Sequence, residues 1–260
     1  MTKAATLFDL TGRIALVTGA SSGLGMQFAR ALADNGAVVA LVARRLDRLK
    51  ALQQEIESNG GKALAIEADV TDRAAMKNAF DAVERVFGTV TILVNNAGIA
   101  QSARRAIEVS ADEWRKVLSV DLDAVFYNAQ EAARRMLAAN ERGSIVNIAS
   151  VLGLGVAKGV AAYAVSKAAV IQTTKVLAVE LAFKGVRVNA IAPGWFVTEI
   201  NDDYLMSEAG DKLKRDIPMG RFGEQGDLDG ALLLLASEAG RYITGATIVV
   251  DGGQVVQIKG

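Results

Sequence analysis

Seven short stretches without polar interruption, or nearly so, recur along the chain: IALVT at 14–18, AVVALVA at 37–43, ALAIE at 63–67, TILVN at 91–95, SIVNIA at 144–149, VRVNAIA at 186–192 and ATIVV at 246–250. A strand with one wet face alternates apolar and polar residues, whereas a strand covered on both faces is apolar throughout, so these runs predict buried strands of a parallel sheet. Amphipathic segments separate them. A helix is expected at about 24–35, another over 46–59 stopped by Gly60-Gly61, and a third after Ser110-Ala-Asp-Glu113, which has the spacing of a capping box before Trp114. Strict alternation of strand and helix, joined by right-handed crossovers, predicts an α/β fold: one doubly wound parallel sheet with helices on both faces, spanning 1–260 as a single domain. The stretch 195–223, between the strand ending at Ala192 and the helix carrying ALLLLA at 231–236, lacks periodicity and is read as a lid.

Composition narrows what such a fold can do. The 260 residues carry 29 Lys plus Arg and 29 Asp plus Glu, so no net field gathers nucleic acid or an anionic membrane, and basic pairs such as Arg104-Arg105 and Arg134-Arg135 need local explanations. There is no cysteine and no histidine. That excludes disulfides, thiolate nucleophiles, Ser-His-Asp hydrolysis and zinc sites built on Cys or His, and no metal is expected. The start, MTKAATLFDLTGR, lacks the basic and apolar regions of a signal peptide, and no apolar run is long enough to span a bilayer. A soluble cytoplasmic protein is expected.

The turn after the first apolar run reads TGASSGLG, with Gly19, Gly23 and Gly25 leading into a helix. Glycine lets backbone turn tightly and approach a pyrophosphate, whose charge then meets free N–H groups and the positive end of the helix. Such turns also serve as plain connections; their place between the first strand and first helix of a βαβ unit favours a nucleotide. The second strand does not end in the acid that would hold the ribose 2′-hydroxyl of NAD but runs into Arg44-Arg45. Guanidinium groups there suit the 2′-phosphate of NADP. Either arginine, taken alone, serves equally well as a solvated start to the next helix.

With no histidine to move protons, Tyr163 and Lys167 stand out in YAVSK. Four residues apart, they stack on one helix face. An unperturbed phenol titrates at about 10 and is a poor base at neutral pH, but a close ammonium favours its phenolate; a shift of roughly three units needs about 4 kcal/mol. A Tyr beside a Lys on a helix surface is the plain alternative for the pair in isolation.

Taken together, these pieces resemble the short-chain dehydrogenase/reductase family in its short, Rossmann-like form. The resemblance rests on TGASSGLG at 18–25, Asp69-Val70, NNAG at 95–98, Ser150, YAVSK at 163–167, PGWFVT at 193–198 and DGG at 251–253, in order over nearly the whole chain. It implies that Tyr163 is the general acid of ketone reduction and the general base of alcohol oxidation, that Lys167 tunes it and bonds the nicotinamide ribose, and that Ser150 holds the substrate oxygen. It implies cofactor contacts from the turn residues Ser21, Ser22 and Leu24 beside the three glycines. Further contacts would come from Asp69 and Val70 at the adenine, from Asn95, Ala97 and Gly98 in the cleft, and from Pro193, Gly194 and Thr198 near the carboxamide. NADP(H) is the expected cofactor, with NAD(H) possible, and a homotetramer the expected assembly, its apolar tail QVVQI at 254–258 fitting that. One position departs from the family pattern: Val120-Asp121-Leu122 stands where V-N-L is usual, and Asp121 is expected to alter pH dependence without abolishing turnover.

In the 195–223 stretch, Trp195, Phe196, Tyr204, Leu205 and Met206 beside Glu199, Asp202 and Asp203 suggest a medium-sized, mainly apolar ketone or secondary alcohol. Two other readings stand beside it. One is a 3-oxoacyl-thioester reductase acting on coenzyme A or acyl carrier protein substrates, and the other a nucleotide-binding regulator without catalysis.

Overall fold

The computed structural model describes residues 3–101, 103–199 and 202–257. In chain order its elements are α1 (Ala4–Phe8), β1 (Ile14–Thr18), α2 (Gly23–Asp34), β2 (Val38–Ala43), α3 (Leu46–Ser58), β3 (Lys62–Glu67), α4 (Arg73–Val86) and β4 (Ile92–Asn95). There follow α5 (Ala111–Leu118), α6 (Ala124–Ala138), β5 (Gly143–Ile148), α7 (Ala161–Leu181), β6 (Val186–Pro193), α8 (Asp202–Leu205), α9 (Glu208–Arg215), α10 (Asp229–Ala236) and β7 (Thr247–Val250). The strands form one sheet in the order β3-β2-β1-β4-β5-β6-β7, every neighbouring pair parallel.

Alternate side chains of each strand feed two cores. Ala15, Val17, Ile92 and Val94 face Phe28 and Leu32 of α2, Leu49 and Leu52 of α3 and Leu232 and Leu235 of α10. Leu16, Leu93 and Ile145 face Met76 and Phe80 of α4, Ala132 and Met136 of α6 and Leu177 of α7. Both faces of β1, β2, β4, β5 and β6 are dry, which is why these strands carry no polar alternation, while the edge strands β3 and β7 are only partly buried.

The order of connections reverses between β1 and β4. The first strands wind outward to one edge and the later ones to the other, leaving a crevice beyond the carboxyl ends of β1 and β4, where ligands of such sheets bind. A buried polar ladder crosses the sheet beside it. Asn95 Nδ2 donates to Asn147 Oδ1 at 3.0 Å and to the Val125 carbonyl at 3.1 Å, and Asn147 Nδ2 donates to Thr174 Oγ1 at 2.9 Å.

Two local features differ from expectation. Ser110 Oγ accepts from the Glu113 N–H at 3.1 Å, but Glu113 turns to Arg104, with Oε2 3.8 Å from its Nε, so only the serine half of the capping box forms. The 195–223 stretch holds two short helices, α8 and α9, the second started by Ser207, whose Oγ accepts from Gly210 N at 3.4 Å. Ile200 and Asn201 within that stretch, and Ile258 at the end of the apolar tail, lie outside the described residues. Among the described residues no helix is long and apolar enough to cross a membrane.

Candidate active site

The glycine-rich turn packs against β4 and its following loop so closely that side chains are barred. Gly19 adopts φ +68° and Gly23 φ +54°, both left-handed. A Cβ on Gly19 would stand 2.9 Å from Ala97 Cα, and one on Gly25 would overlap the Gly19 carbonyl oxygen and Asn96 Nδ2. Asn96 clamps the turn: its Nδ2 donates to the Thr18 carbonyl at 3.0 Å, while Thr18 Oγ1 accepts from the Asn96 and Ala97 N–H groups at 3.0 and 3.1 Å. No side chain caps α2, which has 12 residues, so its first turn presents N–H groups and its positive end to the crevice. Gly25→Ala is expected to destabilise the fold by about 1–3 kcal/mol through overpacking and to weaken nucleotide binding; denaturant titration together with a cofactor titration measures both.

Arginines surround the other end of that crevice. Arg45 donates to Ser21 Oγ at 3.1 Å and to Ser22 Oγ at 2.6 Å, tying the start of α3 to the glycine-rich turn. Arg44 is more exposed and lies 4.0 Å from Asp69, whose carboxylate is held below its usual range mainly by the N–H and hydroxyl of Thr71. Val70 and Leu24 pack against the two cores. The sequence does not single out Arg48 or assign Glu199 a place at this end: Glu199 bridges Arg48 at 2.7 Å and Arg45 at 3.4 Å from 151 and 154 residues away. Thr198, beside it, lies against Gly23, where a Cβ would be 3.4 Å from its Cγ2. Pro193 ends β6, and Gly194 lies where a Cβ would come within 2.8 Å of Asp251.

The proton-handling end lies across β4 and β5. Lys167 is buried on α7, with Nζ 3.0 Å from the Ile148 carbonyl, 5.5 Å from the Tyr163 ring centre and 3.6 Å from Asp121 Oδ2. Asp121 is wholly buried, in a π-helical turn, Ser119–Asp123, that joins α5 to α6. Its Oδ1 accepts from the Ile99 N–H at 2.9 Å, while Oδ2 has only the lysine charge beside it, beyond hydrogen-bond length. Burial raises this carboxyl above the ordinary value of 3.8; the lysine charge and the Ile99 N–H pull the other way. Gly98 makes room for the pair, since its Cβ would stand 3.4 Å from Oδ2 and 3.6 Å from Nζ.

Ser150 follows β5, buried, with Oγ accepting from Leu152 N at 3.1 Å. That bond uses a lone pair and leaves the hydroxyl hydrogen available to a neighbouring oxygen. Gly153 lies so near α7 that a Cβ would come within 2.7 Å of the Lys167 carbonyl. Gln101, which the sequence does not single out, caps α7: its Oε1 accepts from Ala162 N at 2.8 Å and Tyr163 N at 3.2 Å. No spacing rule could find it, because helix and cap come from separate segments. Asn95 is placed differently from the cleft position that the resemblance implies. Only 2% exposed, it turns into the ladder between β4 and β5, and Asn96, its neighbour, meets the nucleotide turn.

A parallel sheet with a glycine-rich turn at its switch point, beside a buried lysine and a tyrosine on one helix, defines a nucleotide-dependent oxidoreductase. A family model described as enoyl-(acyl carrier protein) reductase matches residues 19–254. Gluconate 5-dehydrogenase of Gluconobacter oxydans is 39% identical over 253 residues, 97% of this chain and 98% of that protein. A 3-oxoacyl-[acyl-carrier-protein] reductase of Staphylococcus aureus is 39% identical over 92% of this chain and 96% of its own length. A crystal structure of a gluconate 5-dehydrogenase from Burkholderia cenocepacia, in complex with NADP and tartrate, superposes with a TM-score of 0.94 at 36% identity, covering 98% of this chain and all of that one. The chain belongs to the short-chain dehydrogenase/reductase family and is an NAD(P)-dependent oxidoreductase.

Proposed function

We propose that the protein, as one catalytic domain over residues 1–260, interconverts a secondary alcohol and a ketone with NADP(H), with Tyr163 as the acid and base. The observation that carries this reading is the buried Lys167 amine, held by the Ile148 carbonyl within 5.5 Å of the Tyr163 ring and opening onto Gly98.

The chain fits the dinucleotide. The Gly19–Gly25 turn would cradle the pyrophosphate at the start of α2, Arg44 and Arg45 with Ser21 and Ser22 would hold the 2′-phosphate, and Asp69 and Val70 would border the adenine. Ala97, Gly98, Thr198 and Lys167 would line the nicotinamide half. When bound, the nicotinamide supplies or accepts the hydride. In reduction, the Ser150 hydroxyl donates to the substrate oxygen as negative charge grows there, and the Tyr163 hydroxyl delivers its proton to that oxygen. The Lys167 ammonium stabilises the phenolate that this leaves and can pass a proton toward it. Oxidation runs the same steps backward. Asp121, in contact with Lys167 and not with the reacting atoms, keeps the amine charged and placed.

Of the residues behind the expected apolar substrate, Phe196 and Leu205 are buried, 4% and 2% exposed, while Met206 is 69% exposed. The relatives favour a compact polyhydroxy substrate, a hydroxy acid or polyol oxidised at one secondary alcohol to the ketone. Reduction of a 3-oxoacyl thioester is the second reading, favoured by the staphylococcal relative. The arginine pairs that could dock an acidic carrier are largely engaged within the chain: Arg104 with Glu113, Arg105 with Glu108, and Arg135 with Asp81, Glu84 and Glu131.

Oxidation of NADPH by a panel of hydroxyketones, simple apolar ketones and 3-oxoacyl thioesters tests these choices; no turnover across the panel would refute the reading. Arg45→Ala is expected to weaken NADPH about tenfold with NADH little changed, since a guanidinium to phosphate contact contributes about 1.5–3 kcal/mol when well formed. Equal losses for both cofactors would reject the 2′-phosphate assignment. A homotetramer is expected in solution, where Val179 and Phe183, each 80% exposed near the end of α7, would find cover; sedimentation velocity checks it. The cytoplasm, where the NADPH pool is kept reduced, is the expected compartment.

A further inference from the structure

The end of β2 carries no acid, but a carboxylate from a distant part of the chain meets the arginines that follow it. Glu199 is one residue past Thr198, and both its carboxylate oxygens lie 2.7 Å from Arg48 NH1, with Oε2 also 3.4 Å from Arg45 NH1. Arg45 reaches from this carboxylate to the Ser21 and Ser22 hydroxyls of the nucleotide turn, so Glu199 stands one guanidinium away from the place where a 2′-phosphate would be held. Arg48 holds the Glu199 carboxylate below its ordinary range, with Arg45 adding to the effect, so it is an anion at neutral pH.

A dianionic phosphate and a carboxylate cannot share two guanidinium groups without repulsion. The ribose 2′-hydroxyl of NADH makes no such demand. We infer that Glu199 is a cofactor-selectivity residue: its carboxylate holds Arg45 and Arg48 as an internal anion, which the 2′-phosphate of NADPH must displace and NADH leaves in place. This rests on the assignment of the 2′-phosphate to the arginines above. Glu199 therefore narrows the preference for NADPH that those arginines create, and lets the enzyme keep measurable affinity for both cofactors.

The test is equilibrium titration of the full-length protein with NADPH and with NADH, for wild type, Glu199→Gln, Arg48→Ala and the double variant. Each exposed ion pair of this kind is modest alone, but two are broken together, so Glu199→Gln should tighten NADPH about three- to tenfold. NADH should stay within about twofold of wild type by the same reasoning, since its 2′-hydroxyl carries no charge. In the Arg48→Ala background the substitution should gain less, because one of the two competing partners is gone. An unchanged or weakened NADPH affinity in Glu199→Gln, or equal shifts for both cofactors, would overturn the role. The underlying assignment fails separately: equal losses of NADPH and NADH affinity in Arg45→Ala would reject it, whereas a selective NADPH loss in Arg45→Ala with no NADPH gain in Glu199→Gln would reject the role of Glu199 alone.

Discussion

Tyr163→Phe is expected to lower kcat/KM in both directions by about 10²–10⁴-fold, the range by which a placed acid or base speeds proton transfer. The residue is half-buried at the start of α7, and its backbone N–H is held by Gln101 whatever the side chain, so the variant keeps its fold. Cofactor affinity should change little, which separates loss of the proton donor from loss of the site. The measurement is steady-state kinetics beside a cofactor titration. Rates within a factor of about ten of wild type would lie below that range and remove the tyrosine from the mechanism.

Lys167→Met is expected to be the most damaging single substitution for the fold as well as for turnover. The amine is 4% exposed and Asp121 is fully buried beside it, so removing the cation strands a carboxylate whose Oδ2 has no hydrogen-bond partner. Breaking a buried pair from one side costs about 3–5 kcal/mol. Replacing the anion as well, in Asp121→Asn with Lys167→Met, should recover much of that stability but none of the activity. The pH dependence follows from the direction of the shift on Asp121. Its carboxyl titrates above 3.8 in the folded chain, so the native state holds that proton more tightly than the unfolded one. The stability this contributes is present below the unfolded value and is lost as pH rises through the raised one. Without Lys167 to oppose it, the loss should steepen from acid toward neutral pH, and it should vanish in the double variant. Urea denaturation across that range reads it directly. An equally steep profile in the double variant would locate the effect on another group.

Much of the fold is legible in the sequence because its inner strands are dry on both faces, so their hydrophobic runs survive any detail of loop geometry. All seven runs become strands within a residue or two, and α3 stops before Gly60-Gly61 as the glycines demand. Tyr163 and Lys167 are equally legible, since four residues on a helix fix their shared face. What escapes is whatever depends on contact between distant segments. Glu199 meets Arg48 across 151 residues, and Gln101 reaches the start of α7 across 61. Helix α9 hides because its short polar sequence, EAGDKLKR, has only Leu213 as a large apolar group. The NNAG motif points to Asn95 for the cleft, but period-two alternation at the end of β4 sends its side chain into the sheet and leaves Asn96 to face the turn.

The π-helical turn between α5 and α6 sets a limit on how this protein can vary. There the Ala124 N–H reaches back five residues to the Ser119 carbonyl, so the rod carries an added residue and its two halves are out of phase. An ordinary helix advances about 100° per residue. Deleting one residue from 119–123 would leave a smoother rod but force a choice of angle. Either Ala129, Ala132 and Met136 swing off the sheet, or Asp121 rotates away from Lys167. Changes of length should therefore be absent from this segment in any working descendant of the chain, while changes of residue type on its outer side pass freely.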